Sequence, residues 1–402
     1  MRVLIVDKLS PDTPSRLQEA GCAVEVAVGC SGDALVEKLT AFDPDVLVVR
    51  STRVQGRHLE AARALSLVVR AGAGVDNVDL ATASARGVYV SNCPGKNAIA
   101  VAELTIGHLV NADRRIADNV ADLRAHRWNK AGYSKARGLY GRTLAVLGAG
   151  SIGGEVITRA LAFGMKIRAW SIDMTPERAA AMGVTMAATP LDACRGADAL
   201  TVHLSLCAET RGLVDRTLLD ALAPGAIVIN TSRGEIVDQD ALIEAVKTRG
   251  LRAGLDVFAS EPGAGDAVFP HTIADVPGVY GTHHIGASTD QASEAVADEV
   301  VRIVETYLQK GEVPNVVNLA SRTVATHVLV VRHADRVGVL AGVLGVLREA
   351  SINVEEMENI IFQGGLAACA RIQIASHPGR DVLARIESNP DVYAASLVAL
   401  ES

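Results

Sequence analysis

Aromatic residues are scarce in this chain, at 3% of 402 residues. Apolar residues as a class reach 49%, so the cores must be aliphatic. Cysteine is sparse as well. The six present (Cys22, Cys30, Cys93, Cys194, Cys207, Cys369) are scattered, and none forms a C-x-x-C pair. That spacing suggests neither a disulfide framework nor a zinc site, and it fits reduced thiols in the cytoplasm. Positive charge is not in excess. A net charge of -7 argues against nucleic acid or an anionic membrane as the main partner, while leaving room for local basic pockets that take an anionic metabolite. No apolar run approaches the roughly 18 residues that span a bilayer. The opening MRVLIVDKLS reads as a strand rather than a signal peptide. Low-complexity segments and short-period repeats are missing too. At roughly 150 residues per domain, the length suggests two or three domains.

What the chain does have is alternation. Short β-rich runs at Val3–Val6, Ala23–Val28, Val46–Val49, Ser66–Val69 and Val88–Val90 are separated by helical stretches. This order predicts parallel β-α-β units, and continuous apolar strands such as VLVV fit a sheet covered on both faces. The pattern predicts one long helix over about Ala98–Arg127. A second alternating series follows, with strands expected at Thr143–Leu147, Lys166–Trp170, Ala199–His203, Ala226–Asn230, Ala253–Val257 and Gly278–Gly281. A helical stretch, Asp290–Gln309, leads into GEVPNVVN (311–318), which has the glycine and proline of a linker. The last segment, about 326–402, reads strand, helix, strand, strand, helix, strand, the ferredoxin-like βαββαβ order.

The most legible stretch is AVLGAGSIGGEV, 145–156. Gly148-x-Gly150-x-x-Gly153 follows a strand and opens a helix. In that context Gly148 allows a tight turn, Gly150 lets a pyrophosphate approach the backbone, and Gly153 lets helix and strand pack closely. Ser151 and Ile152 lie between them, at a helix N-terminus whose free N–H groups suit phosphate. The reading is a dinucleotide site. The acid expected about 20 residues on, for the ribose hydroxyls, is replaced by Ser171, and Asp173 two residues later is the provisional partner. NAD is the expected cofactor. NADP stays open, because a serine removes the usual repulsion of a 2′-phosphate.

Three polar stations follow: INTSRGEIVD (229–238), GLDVFASEP (254–262) and GTHHIGAS (281–288). Strand C-terminal ends are where open α/β sheets bind ligands, which places the first two well. With VRSTRV (49–54), RAGAGVDNVDL (70–80) and NCPGKNAIAVAELT (92–105), these motifs resemble the D-isomer-specific 2-hydroxyacid dehydrogenases over essentially the whole chain, most closely the branch acting on 3-phosphoglycerate.

The resemblance implies two doubly wound parallel-sheet domains. A flavodoxin-like substrate domain would be built from 1–97 and 290–320, and a Rossmann nucleotide domain from 98–289 would be inserted in its middle. It implies that Arg233 binds the substrate carboxylate and C2 oxygen, that Glu261 pairs with the catalytic histidine, and that this histidine is His284 rather than His283. Asp256 would contact the nicotinamide carboxamide, with Thr231 and Ser232 lining the nicotinamide. Arg50 and Arg70 would bind the acidic substrate, and Ser51 and Gly74 would offer backbone N–H groups to its carboxylate. The chemistry asks for these types independently. Removing a hydride from C2 and a proton from its oxygen needs a base near neutrality, a carboxylate to orient it and a guanidinium to grip a carboxylate.

The C-terminal segment resembles an ACT domain, on HADRVGVLAGVLGVLREASINV (333–354). That likeness implies a homo-oligomer and a possible amino-acid effector, serine among the candidates. His333 and Asn353 would match effector ligands, with Asp335 standing where an asparagine is expected and Gly338 supplying the tight turn. The expected function is hydride transfer between C2 of a small anionic 2-hydroxy acid and a nicotinamide. The alternatives are a glyoxylate or hydroxypyruvate reductase and a non-catalytic NAD-sensing protein.

Overall fold

The computed structural model describes residues 1–262, 268–269, 271–320 and 323–400. Two compact units are present, Met1–Asn318 and Leu319–Ser402. Within the first lie two sheets. One is β1 (Arg2–Ile5), β2 (Ala23–Val26), β3 (Val46–Val49), β4 (Leu67–Arg70) and β5 (Tyr89–Asn92), ordered β2-β1-β3-β4-β5. The other is β6 (Thr143–Leu147), β7 (Lys166–Trp170), β8 (Thr185–Met186), β9 (Ala199–Val202), β10 (Ile227–Asn230), β11 (Arg252–Leu255) and β12 (Val279–Gly281), ordered β12-β11-β10-β9-β6-β7-β8. Every recorded pairing in both is parallel. These are the flavodoxin-like order and an extended Rossmann order. Their central strands are apolar without alternation, VLVV in β3 and ALTV in β9, and fully buried, because helices cover both faces.

The predicted helix over 98–127 is broken. It runs Ala98–Arg114, then Ile116–Arg124, with Arg115 in the left-handed region at φ 54°. Asn111 explains the break: its carbonyl accepts the Arg115 N–H, and its side-chain oxygen accepts the Ala117 N–H at 2.9 Å. Asn competes in this way with the regular ladder.

The first sheet draws its cover from both ends of the unit. Helix Asp290–Lys310 begins on a Thr289 cap and stops at Gly311, φ 70°. Its Val296, Val300, Ile303 and Val304 share a core with Val3, Ile5, Val46 and Val48. The chain then runs beside β5, where Asn318 Oδ1 accepts the Val90 N–H at 2.8 Å and Ser91 Oγ donates to Pro314 O at 2.6 Å. Glu299, 5% exposed, gathers Arg302 at 2.5 Å, Asn315 at 2.7 Å and Lys96 at 3.2 Å. The Arg302 hydrogen bond leads in holding its carboxyl down to about 2. Lys96 thus ties the first crossing out of this sheet to the helix that follows the return.

The second unit is an antiparallel sheet of β13 (His327–Ala334), β14 (Val354–Ile361), β15 (Ala367–Ile374) and β16 (Val392–Ala399), ordered β14-β15-β13-β16. Helices Val339–Glu349 and Gly379–Glu387 pack Val343, Leu347 and Ile386 against its Leu329, Val331 and Ile372.

Candidate active site

A cleft of about 1910 Å³ runs through the first unit. Arg50, Arg70 and Gly74 line it from the first sheet; Ile152, Thr231, Arg233, Asp256, Glu261 and His284 line it from the second.

At one end, where Ile152 lines the cleft, the glycine loop has the geometry its spacing predicts. Gly148 sits at φ 93°, and a Cβ there would lie 2.5 Å from the His203 carbonyl oxygen. A Cβ on Gly153 would lie 2.0 Å from the Gly148 carbonyl, so no other residue fits. Gly150, by contrast, faces open space at the start of helix Ser151–Ala162, and no side chain caps that helix. Its first-turn N–H groups, including those of Ser151 and Ile152, have no partner within the helix. A loop closed on the protein side and open on the other fits a pyrophosphate.

At the reactive end, three turns converge. β10 ends at Asn230, 1% exposed, whose Oδ1 accepts the Ser232 N–H at 3.0 Å and the Ser232 hydroxyl at 2.8 Å, while its Nδ2 donates to Arg233 O at 2.9 Å. One buried amide therefore folds the turn that presents Arg233. Gly234 lets this turn abut the next strand's end, for a Cβ would sit 2.0 Å from the Phe258 carbonyl carbon. Thr231 Oγ1 is 2.9 Å from Thr105 Oγ1, and Thr231 and Ser232 are largely buried in the wall of the cleft.

Arg233 donates from Nη1 to Ser232 O at 2.8 Å and from Nη2 to Asp76 Oδ1 at 2.8 Å, with Nε 3.4 Å from Asp76 Oδ2. Five donors less three leaves one N–H on each terminal nitrogen, enough for a bidentate carboxylate. Gly74 makes room for this, since a Cβ there would be 2.3 Å from Nη2. Burial pushes the Asp76 carboxyl up, but the Arg233 hydrogen bond and charge leave it lowered.

His284 Nδ1 lies 2.7 Å from Glu261 Oε2. The Glu261 hydrogen bond raises the imidazole pKa against the opposing effects of burial and Arg233. Burial pushes Glu261 up, yet the His284 bond and the Phe258 N–H at 2.9 Å hold it below the usual range. His284 itself sits at φ 53°. Asp256, 1% exposed, over-determines that strained backbone. Its carbonyl accepts the His284 N–H at 2.8 Å, and its carboxylate accepts Thr282 Oγ1 at 2.6 Å and the N–H groups of Ile285 and Gly286 at 2.9 and 2.8 Å. His108 Nε2 backs Thr282 at 3.0 Å. What the structure gives Asp256 is the role of anchor to the histidine loop. His283 lines the cleft with no comparable partner among the described residues.

Residues 106–286 match the family described as D-isomer specific 2-hydroxyacid dehydrogenase, NAD binding domain. The chain is 38% identical over 321 residues to a D-3-phosphoglycerate dehydrogenase of Methanocaldococcus jannaschii, covering 79% of this chain and 60% of that one. It is 38% identical over 361 residues to the Mycobacterium bovis protein of that name, covering 88% and 66%. The TT0316 protein of Thermus thermophilus matches in structure with a TM-score of 0.69 and 32% identity, covering 79% of this chain and all of that one.

The chain belongs to the D-isomer-specific 2-hydroxyacid dehydrogenase family. It spans 60% to 66% of the length of those two curated relatives. The residues that line the cleft from the first sheet differ from one another in what they have to spare. The Ser51 N–H is already donated to Asp7 Oδ2 at 3.0 Å, beside those of Arg50 at 2.6 Å and Thr52 at 2.9 Å. It is not free for a substrate carboxylate, whereas Gly74 N–H makes no hydrogen bond among the described residues. Arg50 Nη2 reaches the Ala287 carbonyl at 3.3 Å, in the histidine loop. Arg70 lies over Gly72, where a Cβ would be 1.7 Å from Nη1, and its buried Nε has no partner among the described residues. Burial and the Arg233 charge lower its pKa. An arginine in that position is short of an anion.

Asp173 accepts the Ser171 hydroxyl and pairs with Arg178. Asp7, Asp76 and Arg178 were not singled out by sequence. Asp76 had a signal, lying inside RAGAGVDNVDL; Asp7 and Arg178 had none beyond their neighbours. In the second unit Gly338, φ 92°, opens helix Val339–Glu349. His333 is 2% exposed, with Nδ1 against Ala334 O at 2.8 Å and Nε2 against Asn359 Oδ1 at 3.2 Å. Its ring is committed internally, while Asp335 and Asn353 are exposed, Asn353 donating to Glu355. No group of three or more His, Cys, Asp or Glu is placed to hold a metal among the described residues, and no described helix is long and apolar enough to cross a membrane.

Proposed function

We propose that this chain is an NAD-dependent D-3-phosphoglycerate dehydrogenase, catalysing the first step of serine synthesis. The single observation that carries the reading is the His284–Glu261 pair in one cleft with Arg233. The names of the curated relatives support the substrate, and so does the set of Arg50, Arg70 and Arg233 along the cleft, since a phosphate and a carboxylate together carry about three negative charges. Residues 1–97 with 290–320 act as substrate domain and 98–289 as nucleotide domain.

Bound at the Gly148–Gly153 loop, the dinucleotide supplies the hydride acceptor. Arg233 holds the carboxylate on its two remaining N–H groups and stabilises negative charge on the C2 oxygen. With Nδ1 held by Glu261, His284 Nε2 takes the hydroxyl proton, and in the reverse direction returns it. Asp256 keeps the ring where it must be. Arg70, with its unpartnered Nε, binds the phosphate end, assisted by Arg50.

Residues 326–402 act as an ACT domain that pairs copies of the chain, and the protein works in the cytoplasm. The deciding assay is NADH formation from 3-phosphoglycerate with the keto product trapped. Turnover supports the reading. No turnover beside fast reduction of glyoxylate would replace it with a glyoxylate or hydroxypyruvate reductase. NADH binding without turnover of either would leave an NAD-sensing protein.

A further inference from the structure

The end of β7 carries Ser171 where a dinucleotide fold usually offers an acid to the ribose hydroxyls. The structure shows what takes that acid's place. Ser171 Oγ donates to Asp173 Oδ1 at 2.6 Å, and Asp173 Oδ2 pairs with Arg178 Nη1. Arg178 rises from the short helix Pro176–Ala181. Its Nη2 donates to the carbonyl of Ala149 at 2.6 Å, inside the glycine loop. A guanidinium therefore spans from the end of the second strand to the loop that suits the pyrophosphate. Asp173 and Arg178 together carry no net charge, and both side chains reach solvent, at 62% and 34% exposure.

We propose that Ser171, Asp173 and Arg178 form a two-way reader of the adenosine ribose, so that this chain takes NADP as well as NAD. The proposal rests on the dinucleotide reading of the glycine loop. With NAD, Ser171 and Asp173 meet the ribose hydroxyls while Arg178 stays on Asp173. With NADP, Arg178 turns from Asp173 to the 2′-phosphate. A bare acid excludes that phosphate by like-charge repulsion; here a cation stands against the carboxylate and offsets it. An exposed ion pair is worth little to keep. An arginine–phosphate contact is charge-assisted and suits the guanidinium fork. The Ala149 bond keeps the side chain at the site during the exchange.

The test is titration of the full chain with NADH and NADPH, read by nucleotide fluorescence, alongside steady-state rates with NAD and NADP. The wild type should bind the two within about 10-fold of each other. Arg178→Ala should weaken NADPH by roughly 10- to 100-fold, the scale of one charge-assisted contact, and NADH by only about 3-fold. Asp173→Asn removes the competing carboxylate and should shift preference toward NADPH by about 10-fold or more. A wild type that rejects NADPH by more than roughly 1000-fold, or an NADPH/NADH ratio unmoved by Arg178→Ala, would overturn the proposal while leaving the dinucleotide site intact. Failure of both nucleotides to bind the wild type would overturn the underlying reading instead.

Discussion

Glu261→Gln gives the sharpest test of the catalytic reading, because the two oxygens of Glu261 have different jobs. Oε1 accepts the Phe258 N–H at 2.9 Å and Oε2 faces His284 Nδ1 at 2.7 Å. A glutamine has one oxygen. Keeping the Phe258 bond turns the NH2 toward His284, and two donors cannot face each other, so Nδ1 must become the acceptor. The ring's proton then sits on Nε2, the nitrogen that has to receive the substrate's proton. Flipping the amide only moves the clash to the Phe258 N–H. Loss of the charge-assisted bond alone is worth about 1.5–3 kcal/mol, or roughly 10- to 150-fold in rate. The tautomer error adds to that, and we expect kcat for oxidation to fall by roughly 10²- to 10⁴-fold. The pH profile carries an independent mark. Glu261 raises the His284 pKa, so oxidation, which uses the neutral ring, should rise only above that raised value. Reduction, which uses imidazolium, should fall through the same value. In the variant both limbs should move to lower pH. Stopped-flow NADH formation and steady-state profiles from about pH 5 to 10 would measure this. A profile whose limbs stay where they were, at any residual rate, would refute the assignment of His284 as the titrating base.

Other perturbations have equally definite outcomes. Arg233→Lys should raise KM and lower kcat together, costing about 10²-fold in kcat/KM, because an ammonium cannot hold Asp76 and a carboxylate in one plane; steady-state kinetics would show it. Asp7→Ala strips the acceptor from three consecutive N–H groups and should cost about 1–3 kcal/mol in urea unfolding, with a raised substrate KM as the Arg50–Thr52 turn loosens. Gly153→Ala, whose methyl would lie 2.0 Å from the Gly148 carbonyl, should weaken NADH binding at least about 10-fold and lower stability by about 1–3 kcal/mol, followed by fluorescence titration and thermal melting.

The parallel sheets were legible because their strands are short, apolar and regularly interrupted, and the glycine loop because Gly148 and Gly153 answer separate steric needs while Gly150 leaves the loop open. Arg233, Glu261 and His284 stand out in the sequence through their motifs, and the structure brings the three to one cleft. What escaped were partners supplied by distant segments. Asp76 meets Arg233 across 157 positions of chain, and Asp7 serves residues more than 40 positions later. No periodicity announces such a contact. The break at Arg115 escaped for a local reason, since Asn111 looks like any helical residue until its side chain captures a backbone N–H. Arg178 escaped because it lies five positions past Asp173, on a separate helix.

The return of helix Asp290–Lys310 to the sheet where the chain began has a consequence for biosynthesis. Val3 and Ile5 leave the ribosome well before the side chains that complete their core, Val296 through Val304. At about 5–20 residues per second, the interval is on the order of 15–60 s. During that wait an aliphatic, five-stranded layer stands with one side only partly covered, by Leu17 of helix Thr13–Glu19, while the intervening lobe can already close on itself. A nascent chain halted near residue 289 should therefore hold a finished nucleotide lobe and an unfinished amino-terminal one, the second open to chaperones.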